Sequence, residues 1–222
     1  MKIVIIGGVA GGMSAATRLR RLNENAEIIV LEKGPYVSFA NCGLPYYVAG
    51  EIKERTDLLV QTPEALQARF SLDVRPNSEA VFIDAAKKEV IVQTREEEYI
   101  LTYDKLILSP GAKPFVPPTI GLAEAENVFT LRSVPDVDAI SAFIEKEQPK
   151  KAIVIGAGFI GLEMAESLVH RGLDVTIVEK APHVLPPLDE EMAAYVSKEL
   201  TANGVKLYTG LAADSFEEKG KI

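Results

Sequence analysis

The chain has 222 residues, a net charge of −8 and an apolar fraction of 47%, enough for two modest domains with a sizeable core. Scattered acidic charge excludes a nucleic-acid surface, and no segment approaches the apolar length of a membrane span. The single cysteine, Cys42, excludes an internal disulfide framework and points to a reducing, cytoplasmic setting.

In chain order, KIVIIG (residues 2–7) is a β-branched run, apolar on both faces, as a buried parallel strand requires. Its lysine, apolar run and small residues imitate a signal peptide. Glycines interrupt the run, however, and a helical pattern follows with Ala15, Leu19 and Leu22 on one face, so a continuing fold is expected. The strand EIIVLE then ends on Glu32. Between strand and helix, Gly7 and Gly12 fit the first and third positions of a dinucleotide-binding glycine pattern. The first glycine makes a tight turn, the second lets backbone approach a pyrophosphate, and the third lets helix pack on strand. Val9 holds the second position, with Gly8 and Gly11 beside it to supply backbone freedom. The phosphates rest on the helix N-terminus, and the acid ending the second strand accepts from an adenosine ribose.

Next comes SFANCGLPYY, from Ser38 to Tyr47. The following GLPYYVAGE can open a helix with Pro45 in its first turn, placing Cys42 near the N-terminus, where a thiolate is favoured. A lone cysteine is ordinarily a small buried hydrophobe, but Ser, Asn, Gly and Pro are poor core neighbours, so a reactive thiol is expected. TPEALQARF (62–70) is a predicted helix with Thr62 as cap and Pro63 at its first position. LDVR, AVFID and EVIVQT are β-like. ILTYDKLIL is read as one strand running into a Gly/Pro-rich turn, Ser109 to Pro118, where the chain crosses between domains of residues 1–115 and 116–222.

Residues 151–180 repeat the first module. AIVIG is the strand, Gly156, Gly158 and Gly161 complete the glycine pattern, Ile160, Met164 and Leu168 form the helix face, and VTIVE ends on Glu179. One such pattern is weak evidence. Two copies, each between the right elements and each followed by an acid at the right distance, point to two nucleotide sites. A helix is expected from Glu190 to Asn203, then the strand VKLYT, and SFEEKGKI resembles the start of a hairpin. The fold class is α/β: two Rossmann-like nucleotide-binding domains with parallel sheets.

These pieces, with TYDKLILSPGAKP between them, resemble the flavoprotein disulfide reductases, the FAD- and NAD(P)H-dependent pyridine nucleotide-disulfide oxidoreductases. The resemblance implies FAD on Gly7, Gly8, Gly12, Glu32, Lys33, Val81, Ser109 and Gly111, with Ala112 in the same loop. It implies NADH, with NADPH possible, on Gly156, Gly158, Gly161 and Glu179. No residue is assigned to a metal. Most members pair two cysteines four residues apart, whereas here Ser38 stands where a partner thiol would sit. The single-cysteine branch is the better match, and its coenzyme A disulfide and persulfide reductases are closest around Cys42. That branch implies that the second sulfur comes from the substrate. It also implies that Ser14, Arg18, Arg21, Ser38 and Asn41 hold the coenzyme, with Arg69 near a further basic position that Phe70 takes. Asn41 is expected to offer an amide donor. Members of the family continue well past this length and are homodimers, so the resemblance reads the chain as C-terminally truncated. Two alternatives remain open: an NADH oxidase or peroxidase cycling Cys42 through a sulfenic acid, and a nucleotide-binding fragment without turnover.

Overall fold

The computed structural model describes residues 1–122 and 125–216. In chain order the elements are β1 (Lys2–Ile6), α1 (Ala10–Leu22), β2 (Glu27–Leu31), α2 (Leu44–Ala49), α3 (Pro63–Phe70), β3 (Asp73–Arg75), β4 (Glu79–Asp84), β5 (Glu89–Gln93), β6 (Glu98–Thr102), β7 (Lys105–Leu108), α4 (Val134–Glu147), β8 (Lys151–Ile155), α5 (Phe159–His170), β9 (Asp174–Glu179), α6 (Glu190–Ala202) and β10 (Lys206–Thr209). They divide into two compact units. One takes residues 1–40 and 56–113; the other takes 41–55 and the chain from 114 onward.

The first unit is built on a four-stranded parallel sheet in the order β3-β2-β1-β7. Alternation along its strands sorts the core into two layers. Ile3, Ile5, Ile28 and Val30 pack with Met13 and Ala16 of α1 and Leu66 of α3. Val4, Ile29 and Leu31, on the opposite face, pack with Val90, Val92 and Leu101. Those last three belong to an antiparallel meander, β4-β5-β6, which lies over that face. A sheet covered on both sides needs strands that are apolar throughout, and the sequence of β1 and β2 supplies them.

The single strand expected over residues 100–108 is two strands in two sheets. β6 pairs antiparallel with β5, while β7 pairs parallel with β1. The switch lies at Tyr103–Asp104, where Asp104 N–H donates to the Lys2 carbonyl at 2.9 Å and Lys2 N–H donates to Asp104 Oδ2 at 2.6 Å. Leu22 also departs from expectation. It is 66% exposed, and Met13 and Ala16 supply the buried face of α1 instead. Thr62 does cap α3, accepting from Ala65 N–H at 3.2 Å.

The second unit holds the parallel sheet β10-β9-β8. Val175 and Ile177 are buried on one face, while Ile153, Ile155 and Tyr208 are exposed on the other. On α5, Met164 and Leu168 are buried as expected, but Ile160 is 53% exposed. α4 has no counterpart in the sequence reading. Asp136 Oδ2 accepts from Ser133 N–H at 2.7 Å at its start, and Val134, Val137 and Ile140 form its buried face. Segment 41–55 groups here because the apolar face of α2 (Leu44, Val48, Ala49) packs against α4 and α5. Arg55 fixes the end of that segment through a two-pronged ion pair to Asp138 of α4, with Nε–Oδ1 at 2.8 Å and Nη2–Oδ2 at 2.7 Å. The hairpin expected from residue 215 falls mostly on residues 217–222, outside the described residues; Ser215 makes a parallel bridge to Ile120.

Ile29 is 1% exposed and sits between two layers, so Ile29→Ala should cost about 2–5 kcal/mol. Ile100→Ala, on the open face of β6, should cost under about 1 kcal/mol. Urea unfolding of the two variants should show this difference in midpoint at equal slope.

Candidate functional site

Each glycine loop joins the end of a strand to the start of a helix. Gly7 and Gly156 adopt φ of +106° and +99°, a region closed to ordinary side chains. Gly12 and Gly161 allow a closer approach. A Cβ on Gly12 would lie 1.8 Å from the Gly7 carbonyl oxygen, and one on Gly161 would lie 2.1 Å from that of Gly156. Gly158 is different, since a Cβ there would meet nothing within 4 Å. The space over that residue is what a pyrophosphate needs. In the first module Val9 takes the corresponding position and forms part of a cleft wall.

The helix starts show where anions fit. α1 and α5 begin with no side-chain cap and no acidic residue in the first turn. The other long helices carry a side-chain cap or an acidic residue in the first turn. Thr62 caps α3, where the Glu64 carboxyl is held below its usual range by its own backbone N–H and then by the Thr62 hydroxyl. Asp136 folds back at the start of α4, and Glu190 and Glu191 open α6. The two glycine-loop helices therefore present free N–H groups and an uncompensated dipole, which is the chemistry of a phosphate site. This fit supports a dinucleotide on each loop.

Glu32 and Glu179 stand at the strand ends, as expected, but their carboxylates are already engaged. Glu32 accepts from Gly8 N–H at 2.8 Å and from Gly34 N–H at 2.7 Å. Glu179 accepts from Ala157 N–H and from Ala181 N–H, both at 2.6 Å. A carboxylate oxygen accepts more than one bond, so capacity for ribose hydroxyls remains.

The structure gathers Gly7, Gly8, Gly12, Glu32 and Ser109 at the carboxyl end of the first parallel sheet. Ser109 N–H donates to the Ile6 carbonyl at 2.7 Å, and the Ser109 carbonyl crowds Gly7. Gly111 follows in the turn with φ of +71°. Lys33 lies beyond Glu32 and is ion-paired to Glu79 at 2.6 Å. Val81 sits on β4 at a break in strand register and is 50% exposed.

A cleft of about 320 Å³ opens beside α1 and α3 and brings together Ser14, Ser38, Arg69 and Phe70. Ser38 adopts φ of +47°, an uncommon conformation for serine, and donates its N–H to the Gly8 carbonyl at 2.9 Å. Arg18 and Arg21 are exposed on α1 and do not line the cleft. With Ser14 they form a stripe at helical spacing along α1. Arg20, which the sequence did not single out, ties α1 to the end of α3: Nε donates to the Phe70 carbonyl at 2.8 Å and Nη2 to the Ser71 carbonyl at 2.9 Å. A bond from a side chain to a backbone carbonyl leaves no signature in residue types.

Cys42 lies exposed in a 3₁₀ turn, Asn41–Gly43, directly before α2, with Pro45 at the start of that helix. α2 has only six residues, so its dipole is a smaller asset to the thiol than expected. Asn41, expected to offer an amide donor, also carries an acceptor in an unusual state. Its Oδ1 is buried with no hydrogen-bond partner, the only such side-chain atom among the described residues. A buried acceptor left unpaired costs about 1–3 kcal/mol, a cost that a donor on a ligand would relieve. Among the described residues, no helix is long and apolar enough to cross a membrane.

The profile of the family described as pyridine nucleotide-disulphide oxidoreductase matches residues 1–222. A curated relative, the coenzyme A disulfide reductase of Staphylococcus haemolyticus, is 40% identical over 206 residues, which cover 92% of this chain and 46% of the relative. The reduced CoADR-RHD of Bacillus anthracis superposes with a TM-score of 0.96 at 53% identity, covering 99% of this chain and 40% of that one. An NAD-dependent persulfide reductase from A. fulgidus superposes with a TM-score of 0.95 at 39% identity, covering 100% of this chain and 41% of that one. The chain thus spans less than half the length of these relatives.

The two kinds of loop glycine should separate experimentally. Gly161→Ala should destabilise the second unit by about 1–3 kcal/mol, because the Gly156 carbonyl must move. Gly158→Ala should leave stability unchanged while weakening NADH binding at least about tenfold, since the methyl occupies ligand space. Thermal unfolding and NADH fluorescence titration read the two effects.

Proposed function

We propose, for a chain that belongs to the pyridine nucleotide-disulphide oxidoreductase family, that it uses NADH and FAD to reduce a coenzyme A disulfide or persulfide through Cys42. The observation that carries this reading is the lone, exposed thiol. These 222 residues hold no second cysteine, and in this reading the sulfur that pairs with Cys42 comes from the substrate. The names of the relatives point to the same substrates.

In this reading the first glycine loop, Glu32, Lys33, Val81, Ser109 and Gly111 hold FAD. The second loop and Glu179 hold NADH. Bound flavin supplies the two-electron relay between nicotinamide and sulfur. The Cys42 thiolate attacks one sulfur of the substrate, the substrate S–S bond breaks, and coenzyme A leaves as a thiolate that takes up a proton. Two electrons that originate in NADH then cleave the Cys42–coenzyme bond, releasing a second thiol and restoring the Cys42 thiolate. The sum is one disulfide, one NADH and one proton to two thiols and NAD⁺. Ser14, Ser38 and Asn41 orient the coenzyme, and Arg18 and Arg21 pair with its phosphates along the exposed stripe of α1. A reducing cytoplasm suits an enzyme that must keep an exposed thiol, and a homodimer is the assembly that goes with the family resemblance.

Cys42→Ser should split the reaction in two. In the FAD-loaded protein, anaerobic NADH should still bleach the flavin, because that half needs no sulfur. Reduction of coenzyme A disulfide should fall to background, because serine forms no mixed disulfide. Retained disulfide reductase activity would overturn the role of Cys42. Consumption of oxygen or peroxide by the wild type at a rate above its coenzyme A disulfide reduction would favour an oxidase or peroxidase.

NADH should be preferred to NADPH at least tenfold in kcat/KM, a difference of about 1.4 kcal/mol. Glu179 is only 9% exposed and would face the 2′-phosphate with like charge. Equal kcat/KM for the two cofactors would contradict this assignment.

A further inference from the structure

The two modules differ in sequence at the loop and at the turn after the second strand, with Gly8 and Gly34 in one and Ala157 and Ala181 in the other. Their carboxylate geometry is nevertheless the same. One oxygen of each glutamate takes the N–H directly after the first glycine; the other takes the N–H two residues beyond the glutamate itself. A second tie repeats as well. The first glycine donates its own N–H to the adjacent strand, Gly7 to the Leu31 carbonyl and Gly156 to the Val178 carbonyl, both at 2.8 Å. The left-handed glycine is therefore anchored through its own N–H and through that of the next residue. An acid that served the ribose alone would have no reason to spend both oxygens on backbone.

We infer that Glu32 and Glu179 are positioning residues for the phosphate loops, each carboxylate clamping its loop to the end of the following strand before any ligand arrives. The inference rests on the nucleotide-binding reading above and deepens it. A carboxylate drawn out of water, wholly at Glu179 and partly at Glu32, needs charge-assisted partners, and these two find theirs in the backbone that the phosphates must approach. The loop amides that remain are then fixed to face the ligand. It follows that removing the carboxylate weakens binding of the phosphates, which the carboxylate does not touch, as well as binding of the ribose. Exchanging Glu179 to admit NADPH would then weaken both cofactors.

The test uses two probes, ADP and 2′,3′-dideoxy-ADP, which keeps the diphosphate and lacks both ribose hydroxyls. Affinities are read on the ¹⁵N-labelled chain from the amide shifts of residues 157–161, which report the second module alone. In Glu179→Ala the dideoxy probe should bind at least tenfold more weakly than in wild type. In Glu179→Gln, which keeps one acceptor oxygen, the loss should be smaller. Both the Ala157 and Ala181 amides should exchange with solvent at least tenfold faster in Glu179→Ala, and one of the two in Glu179→Gln, while those of β8 and β9 stay protected. Glu32→Gln, read at residues 8–12, repeats the test in the first module and stands in if the Glu179 variants do not fold. Dideoxy affinity unchanged within twofold in the variants would overturn the clamp and leave a ribose role only. Wild type binding neither probe would instead overturn the nucleotide reading, and exchange at Ala157 would still decide the clamp.

Discussion

Both modules depend on one close approach: the carbonyl oxygen of the first glycine occupies the space where a side chain on the third would stand. That contact sets the N-terminus of a helix against the end of a parallel strand, so that its unpaired N–H groups converge on one spot. The apolar layers support this arrangement. In the first unit the sheet is held between α1 and α3 on one side and the meander on the other, which fixes the strand end that carries the loop. The glutamate at the next strand end completes it. In the proposed reading, sheet, loop and helix then form a preorganised anion site whose cost in backbone order is met during folding.

The thiol is positioned by different means. Cys42 belongs to a short turn and helix whose apolar face is seated on α4 and α5 and whose far end is fixed by Arg55 and Asp138. Its neighbour Asn41 carries a buried oxygen with no partner. An exposed sulfur beside an unmatched acceptor is a poor solution for stability and a good one for gripping a substrate that brings both a sulfur and a donor.

Much of this was legible in the sequence because it rests on patterns that residue type dictates. Gly7, Gly12, Gly156 and Gly161 had to be glycine, the strands had to be apolar on both faces, and Thr62 with Pro63 had to start a helix. What escaped depends on backbone partners or on distance along the chain. The second role of Glu32 and Glu179 uses N–H groups that every residue but proline carries. Arg20 binds carbonyls. The switch between β6 and β7 falls at Tyr103–Asp104, without the glycine or proline that marks most turns. α4 was missed although Val134, Val137 and Ile140 stand at helical spacing after Ser133, with Pro135 in the first turn, a start signal obscured by the irregular stretch before it. The grouping of residues 41–55 with α4 and α5 is a long-range contact that no local pattern announces. Leu22 and Ile160 continued a helical stripe in sequence but lie at helix ends, beyond the reach of the core.

The central claim is that the chain offers one sulfur and the substrate supplies the other. Intact-mass spectrometry of the chain after a brief, stoichiometric exposure to coenzyme A disulfide tests it most directly. The account predicts one coenzyme A per chain, removed by reductant, absent in Cys42→Ser, and formed faster than on a short peptide carrying the same cysteine. Formation no faster than on the peptide, or no adduct at all, would contradict it.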